Sequence, residues 1–407
     1  MESLKILMVT THFPPYHLGG DAQFVEYLAK ELVHRGHEIH VFYSPVSYDL
    51  LRSDRKTNAK KENETEVGRH RYTPRAGRLD PLLALSLGLH RKAERDLRSL
   101  VSDLKPDVVN WHNSRGFVGR PWAFPGRISL YTTHDYTPVC PRSNLMKPHM
   151  HICNDPRWCT VCCVRWGKPP QIWRAGRKRV LRYDKDLRLL PPSEFMAKRF
   201  KDDGVPVHEV LRLFVPDLGA DFKRESAEGD SILYLGLIEH HKGVRTLLEA
   251  FAKSERDQGF KLHLIGEGTI REDLTRRTEA LGLANRISIP GFLDRSAVET
   301  LRKNAVAQVV PSVWYENAPS VVAEAFSLGI PVVASDIGGL PEMVTRESGS
   351  TVFPPGDVNE LARILVDLWQ TRDSLKEKRR KARIAYETRF TPDIHIKNYL
   401  RVISELQ

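Results

Sequence analysis

Two glutamates stand eight positions apart in Trp314-Tyr-Glu316-Asn-Ala-Pro-Ser320-Val-Val-Ala-Glu324, across what reads as a loop and the start of a helix. Proline suits a first helical position, so Pro319 marks where that helix should begin. The backbone N–H groups of Asn317, Ala318, Ser320 and Val321 then lack intrahelical acceptors and would point at an anion, and a diphosphate fits there. Glu324, about one turn further in, would accept hydrogen bonds from a sugar hydroxyl, while Glu316 would serve the other end of the same ligand. A bare pair of carboxylates is more often a surface or capping feature, so the reading depends on its context.

Two further clusters have chemical potential. All five cysteines lie between Cys140 and Cys163, spaced Cys140-x12-Cys153-x5-Cys159-x2-Cys162 with Cys163 adjacent. Four thiolates this close suit a closed tetrahedral zinc site on Cys140, Cys153, Cys159 and Cys162, with His149 or His151 able to replace one ligand. An iron–sulfur cluster and unliganded thiols are the other readings. A four-thiolate site has no open position, so the metal would be structural, and no catalytic metal is expected. Immediately after it, Arg165 to Arg188 holds nine Lys and Arg against two Asp, with Trp166 and Trp173 among them. That composition suits a solvated helix face, single-stranded nucleic acid, or an anionic membrane surface with Trp at the interface.

The elements that must position these groups form two series. The first opens with a strand over 5–10, a loop with Pro14-Pro15 and Gly19-Gly20, a helix over 22–34 stopped by Gly36, and a strand over 38–42. Apolar runs at 108–111, 128–132 and 187–191 continue it, and the charged stretch 52–80 reads as an exposed excursion. Residues 214–230 are polar and turn-rich and read as a linker. Beyond them, strands over 232–236, 261–265, 286–290, 307–310 and 331–334 alternate with helices over 244–252, 270–281, 295–303 and 319–328. The last ~50 residues read as helices, with the basic run Lys376 to Arg383 as a solvated face. The expectation is two doubly wound, Rossmann-like α/β domains facing across a cleft, with a Cys-rich basic insertion at about 138–188 in the first. Their expected bounds are 1–215 and 216–390, with 391–407 a helix packing back towards the first.

Length and composition agree. A chain of 407 residues suits two or three domains, and 41% apolar with 28% charged residues is ordinary globular usage. The run Leu82 to Leu89 is too short and interrupted to span a bilayer. Residues 1–215 carry 36 Lys and Arg against 23 Asp and Glu, a net of +13, whereas 216–407 carry 26 against 28. One half therefore faces an anionic partner. With no signal peptide at the N-terminus, the expected location is the cytoplasm, on the inner face of the membrane.

The motifs Tyr234-Leu-Gly-Leu237-Ile-Glu-His-His-Lys242-Gly243, Gly266-Glu-Gly268, Pro290-Gly291-Phe292, Pro311-Ser312, Glu316 to Glu324, Gly329 to Ser335 and Gly338-Gly339-Leu-Pro-Glu342 follow in one order. Together with the Gly19-Gly20 loop and the Gly36-His37-Glu38 turn, they closely resemble retaining glycosyltransferases of family 4, with the two-lobed GT-B fold. The resemblance covers nearly the whole chain. It extends to a subset with a His-Asp-Tyr…Cys-Pro-Arg segment and downstream cysteines, here His134-Asp-Tyr136…Cys140-Pro-Arg142. It implies a nucleotide-sugar donor, with Lys242 on the diphosphate, Glu316 on the sugar hydroxyls and Glu324 on the ribose. Asn317, Ala318, Pro319 and Ser320 would line the sugar and phosphates, Gly266 would lie beside them, and Gly291, Phe292 and Leu293 would meet the base. Gly19 and Gly20 would let the first-domain loop approach the phosphates, and His134 would lie near the reacting sugar, with His112 a second candidate of its kind.

One position departs from the family. An arginine usually follows the glycine after the first strand of the second domain, and here it is Leu237; His240, His241 and Arg245 are the nearby cations that could compensate. The implied function is retaining transfer of a sugar from a UDP- or GDP-sugar to a lipid-linked or polysaccharide acceptor at an anionic membrane surface, without nucleic acid. Transfer to a small soluble acceptor, and a nucleotide-sugar-binding protein with weak turnover, are the alternatives.

Overall fold

The computed structural model describes all residues except 1, 17–19, 46–66, 73–82, 85, 88–89, 116–117, 119–120, 149–150, 155–158, 169, 172–183, 220–228 and 255–258. The chain divides into two compact units, Met1–Leu213 with Pro392–Gln407, and Phe214–Thr391.

In the first unit, strands β1 (Lys5–Val9), β2 (Glu38–Tyr43), β3 (Gly68–Arg71), β4 (Val108–Trp111), β5 (Ile128–Thr132) and β6 (Leu187–Leu190) form one parallel sheet in the order β3-β2-β1-β4-β5-β6. Ile6, Leu7, Met8 and Val9 are fully buried, so β1 is covered on both faces. Helix α1 (Gly20–His34) turns Phe24, Val25, Leu28 and Leu32 inward at helical spacing. Helices α2 (Arg91–Leu104), α3 (Cys159–Arg165) and α4 (Glu194–Asp202) follow in the same unit, α4 capped by Ser193, whose hydroxyl accepts the Met196 N–H at 3.2 Å.

The second unit repeats the plan. Strands β7 (Ser231–Leu235), β8 (Lys261–Ile265), β9 (Ile287–Gly291), β10 (Ala305–Val310), β11 (Val332–Ser335) and β12 (Thr351–Phe353) form a parallel sheet ordered β12-β11-β10-β7-β8-β9. Helices α5 (Val244–Ser254), α6 (Arg271–Ala280), α7 (Arg295–Lys303), α8 (Ser320–Ser327), α9 (Leu340–Met343), α10 (Val358–Gln370) and α11 (Leu375–Arg389) accompany it. Its core joins Ile232, Leu248, Phe251, Leu264, Val309 and Leu365 from strands and helices. Helix α12 (Pro392–Leu406) returns to the first unit, where it packs on α1 and buries His395, Ile396, Tyr399, Val402 and Ile403.

The architecture is the doubly wound pair expected. Two local readings change. Residues 68–71, inside the stretch taken as an excursion, form edge strand β3; Gly-Arg-His-Arg has no apolar alternation, and parallel pairing with β2 holds it. The basic run on α11 is not simply a solvated face either. Arg379 is buried with Nη2 donating to Ala305 O at 3.1 Å, and Arg383 pairs with Asp217 at 2.6 Å.

Candidate functional site

In the second sheet β10 and β7 lie side by side, and the strand order runs outward from them in opposite senses. Loops leaving their carboxyl ends diverge and open a crevice, the usual ligand position in such sheets. The loop after β7 carries Leu237 and a single 3-10 turn, His240–Lys242; the loop after β10 carries Ser312, Trp314 and Glu316. The two are tied together by Val313 N–H donating to His241 C=O at 2.9 Å. Gly243, at φ +67°, lies so close that an added Cβ would stand 1.8 Å from Pro311 O. Only glycine allows this approach.

The result is a meeting of Lys242 and Glu316. Lys242 Nζ donates to Glu316 Oε1 at 2.7 Å, with side chains only 20% and 8% exposed. The same oxygen accepts Ser312 Oγ at 2.6 Å and Trp314 Nε1 at 2.7 Å, and the Trp314 ring lies beneath the ammonium at 4.7 Å. Burial alone would push the Glu316 carboxyl up, but the Lys242 charge and these donors outweigh it and hold the carboxyl below its ordinary range. Oε2 takes no part in these bonds. The Glu316 backbone is clamped by Gly339 N–H on its carbonyl at 2.7 Å.

Helix α8 begins at Ser320, with Pro319 as its N-cap residue rather than its first helical position. Asn317, Ala318 and Pro319 form the approach to it. On α8, Glu324 Oε1 accepts Ser320 Oγ at 3.0 Å and Oε2 accepts Arg302 Nη2 of α7 at 2.6 Å. Around the same sheet end, Gly266 follows β8, and a Cβ there would meet Gly236 O at 1.8 Å. Gly291 closes β9, and Phe292, 81% exposed, and Leu293 follow it. Leu237 is exposed, its carbonyl accepting Tyr234 Oη at 2.5 Å. Of the cations that could replace the family's arginine, Arg245 pairs with Asp273 at 3.5 Å, while His241 packs edge-on against Trp314 at 4.9 Å.

In the first unit β1 and β4 are the adjacent strands from which the order diverges. Gly20 and Asp21 open α1 near their carboxyl ends, while Gly19 lies outside the described residues. His112 follows β4 and His134 follows β5, and their rings meet with His112 Nδ1 3.0 Å from His134 Nε2. Phe24 packs on His134 at 5.5 Å and on His395 of α12 at 5.4 Å. Burial pushes both His112 and His134 down, the neighbouring imidazoles adding to this at His112 and the Asp21 and Asp135 carboxylates opposing it at His134. Both rings are therefore neutral at pH 7 and act through hydrogen bonds rather than charge. Behind them Asn110 Nδ2 donates to Tyr399 Oη at 3.1 Å. A cavity of about 680 Å³ at the other end of this sheet, lined by Asp107, Arg127, Asp184, Asp186 and Arg188 among others, contains none of the expected site residues.

Burial together with the neighbouring thiols pushes Cys159 up to about 12. Among the described residues, no three His, Cys, Asp or Glu side chains stand where they could hold a metal ion. Cys140, Cys153, Cys159 and Cys162 are among the described residues; His149 lies outside them, as do Trp173 and most of the basic stretch after the cysteines. No helix among the described residues is long and apolar enough to cross a membrane.

Sequence reasoning named Lys242, Glu316 and Glu324 and missed Ser312, Trp314 and Arg302. Trp314 and Ser312 stand within four residues of Glu316, so proximity was a usable signal. Arg302 is on a separate helix, and nothing in its local sequence points to Glu324.

Comparison with known proteins bears on the whole chain. The family model for glycosyl transferases group 1 matches residues 220–388, and that for glycosyltransferase family 4 matches residues 18–211. An uncharacterized glycosyltransferase of Methanocaldococcus jannaschii is 27% identical over 376 residues, covering 86% of this chain and 85% of its own. Among solved structures, sucrose-phosphate synthase from Thermosynechococcus elongatus superposes with a TM-score of 0.69 at 17% identity, covering 98% of both chains. Anabaena HepE in complex with UDP-glucose does so at 0.64 and 16% identity, covering 99% of this chain and 100% of its own. The chain belongs to the group 1, family 4 glycosyltransferases of GT-B fold.

Proposed function

We propose that this glycosyltransferase moves a sugar from a UDP- or GDP-sugar to a hydroxyl of a lipid-linked or polysaccharide acceptor at an anionic membrane surface, retaining the anomeric configuration. The observation that carries the donor reading is the Lys242–Glu316 contact at the carboxyl ends of β7 and β10. Lys242 takes a diphosphate when one arrives, since a phosphate oxygen offers more charge than the shared carboxylate oxygen. The Glu316 Oε2 atom then accepts a sugar hydroxyl, and the first N–H groups of α8 face the phosphates. His134, neutral, serves the transferred sugar by hydrogen bonding. The bond from the anomeric carbon to the leaving phosphate breaks as the acceptor oxygen bonds to that carbon on the same face. The acceptor proton passes to the leaving phosphate oxygen, so no protein nucleophile is needed. The UDP-glucose held by HepE, which has the same fold, supports a UDP-sugar as the first donor to try.

The +13 balance of residues 1–215 supports an anionic acceptor or surface. A zinc ion on Cys140, Cys153, Cys159 and Cys162 rests on their spacing alone; one zinc per chain in protein purified without chelator is the expected result, and none removes the idea.

A thermal-shift screen across UDP-, GDP- and ADP-sugars should find one stabilising class. Transfer with that donor should fail in Glu316→Ala and Lys242→Ala; transfer and donor hydrolysis unchanged in both would overturn the site. Co-sedimentation with anionic vesicles at low salt, lost at high salt, tests the membrane surface. The exposed Leu237 supports a second reading, a donor-binding protein with weak turnover, and binding without hydrolysis or transfer would select it.

A further inference from the structure

We infer that Arg302 is a positioning residue for the nucleoside half of the donor, acting through Glu324. This rests on the donor-site reading above. Glu324 sits at the end of two hydrogen bonds that use different oxygens: Ser320 Oγ on Oε1 at 3.0 Å and Arg302 Nη2 on Oε2 at 2.6 Å. With one donor on each oxygen the carboxylate plane is held, and each oxygen keeps a lone pair. Glu316 contrasts with it, since its three donors converge on Oε1. The first arrangement offers two acceptors side by side, which matches the two neighbouring hydroxyls of a ribose; the second offers one.

The Arg302 side chain is 8% exposed and Glu324 is 25% exposed, so the arginine lies inside while the carboxylate reaches the surface. A buried guanidinium hydrogen-bonded to a carboxylate fixes its direction, and its planar fork loses little freedom in doing so. Arg302 comes from α7 and Glu324 from α8, so the bond also ties these helices together across the edge of the site.

The test compares ribonucleotide and deoxynucleotide binding in the full chain. Uridine, guanosine and adenosine diphosphates and their 2′-deoxy and 3′-deoxy forms are titrated by calorimetry against wild type, Arg302→Met, Arg302→Lys and Glu324→Gln. Wild type should prefer the ribo form of its nucleotide about tenfold or more. Arg302→Met should weaken the ribo form by about tenfold to a hundredfold and leave the deoxy forms nearly unchanged, so that the preference collapses. Arg302→Lys should restore part of it, and with a sugar donor the loss should appear in KM rather than kcat. A purely structural role would lower the melting temperature and weaken all the nucleotides alike. The inference is overturned if Arg302→Met keeps the ribo preference while Glu324→Gln loses it, or if all forms weaken equally. If wild type binds no nucleoside diphosphate, or binds ribo and deoxy forms equally, it is the donor-site reading that fails.

Discussion

Lys242 and Glu316, 74 residues apart in sequence, share a 2.7 Å hydrogen bond because their loops follow adjacent strands of one sheet. Both are mostly buried, so neither can be removed without leaving the other's charge in a poorly solvated place. Lys242→Met should therefore cost about 3 kcal/mol of stability in the second unit, and Glu316→Gln less, because the amide still accepts from Ser312 and Trp314. The double variant should cost less than the sum, with a coupling of about 1–3 kcal/mol in urea unfolding. Additive losses would show that the ion pair contributes nothing beyond its parts.

Gly243 makes that contact geometrically feasible. Gly243→Ala places a Cβ against the Pro311 carbonyl and at a positive φ, so it should destabilise by at least about 2 kcal/mol and displace Lys242. Gly282 also has a positive φ, +73°, but nothing within 4 Å of an added Cβ, so Gly282→Ala should cost about 1 kcal/mol. Chemical denaturation of the two variants separates backbone strain from the clash.

Stability should fall in mild acid. Burial, opposed by the Arg212 carbonyl and reinforced by His134, lowers His395 to about 4 from the ordinary 6.5. Between these values the unfolded chain binds more protons than the folded one, so stability drops as pH falls through 6.5 and the loss is complete below about 4. The shift corresponds to about 3 kcal/mol, and His112 and His134 add to it in the same direction. Above pH 6.5 these histidines contribute no pH dependence. Melting temperatures from pH 4 to pH 8 check the sign, and His395→Phe should flatten the curve.

Helix α12 is part of the first unit despite its place at the end of the chain. Tyr399→Phe leaves Asn110 Nδ2 without its 3.1 Å acceptor in a fully buried place, at a cost of about 1–2 kcal/mol. Removing Pro392–Leu406 uncovers the face of α1 against which it packs, and should leave an insoluble chain. Denaturation of the point variant and solubility of the truncated chain measure the two effects.

The amino-acid sequence alone was enough for the doubly wound architecture and for naming Lys242, Glu316 and Glu324 as candidates. Strand and helix periods, and motifs such as Lys242-Gly243, are local properties that survive in one dimension. Edge strand β3 escaped because Gly68 to Arg71 carries no apolar alternation, and only pairing with β2 makes it a strand. The basic run on α11 was misread because charge does not reveal direction: Arg379 turns inward to a backbone carbonyl. Tertiary structure decided the partners. Glu316 received Ser312, Trp314 and Lys242 on one oxygen, and Glu324 received Arg302 from another helix. His112, His134 and His395 came together from β4, β5 and α12. Such contacts depend on which strands lie side by side and on how closely loops approach, and no residue type at a fixed spacing encodes that.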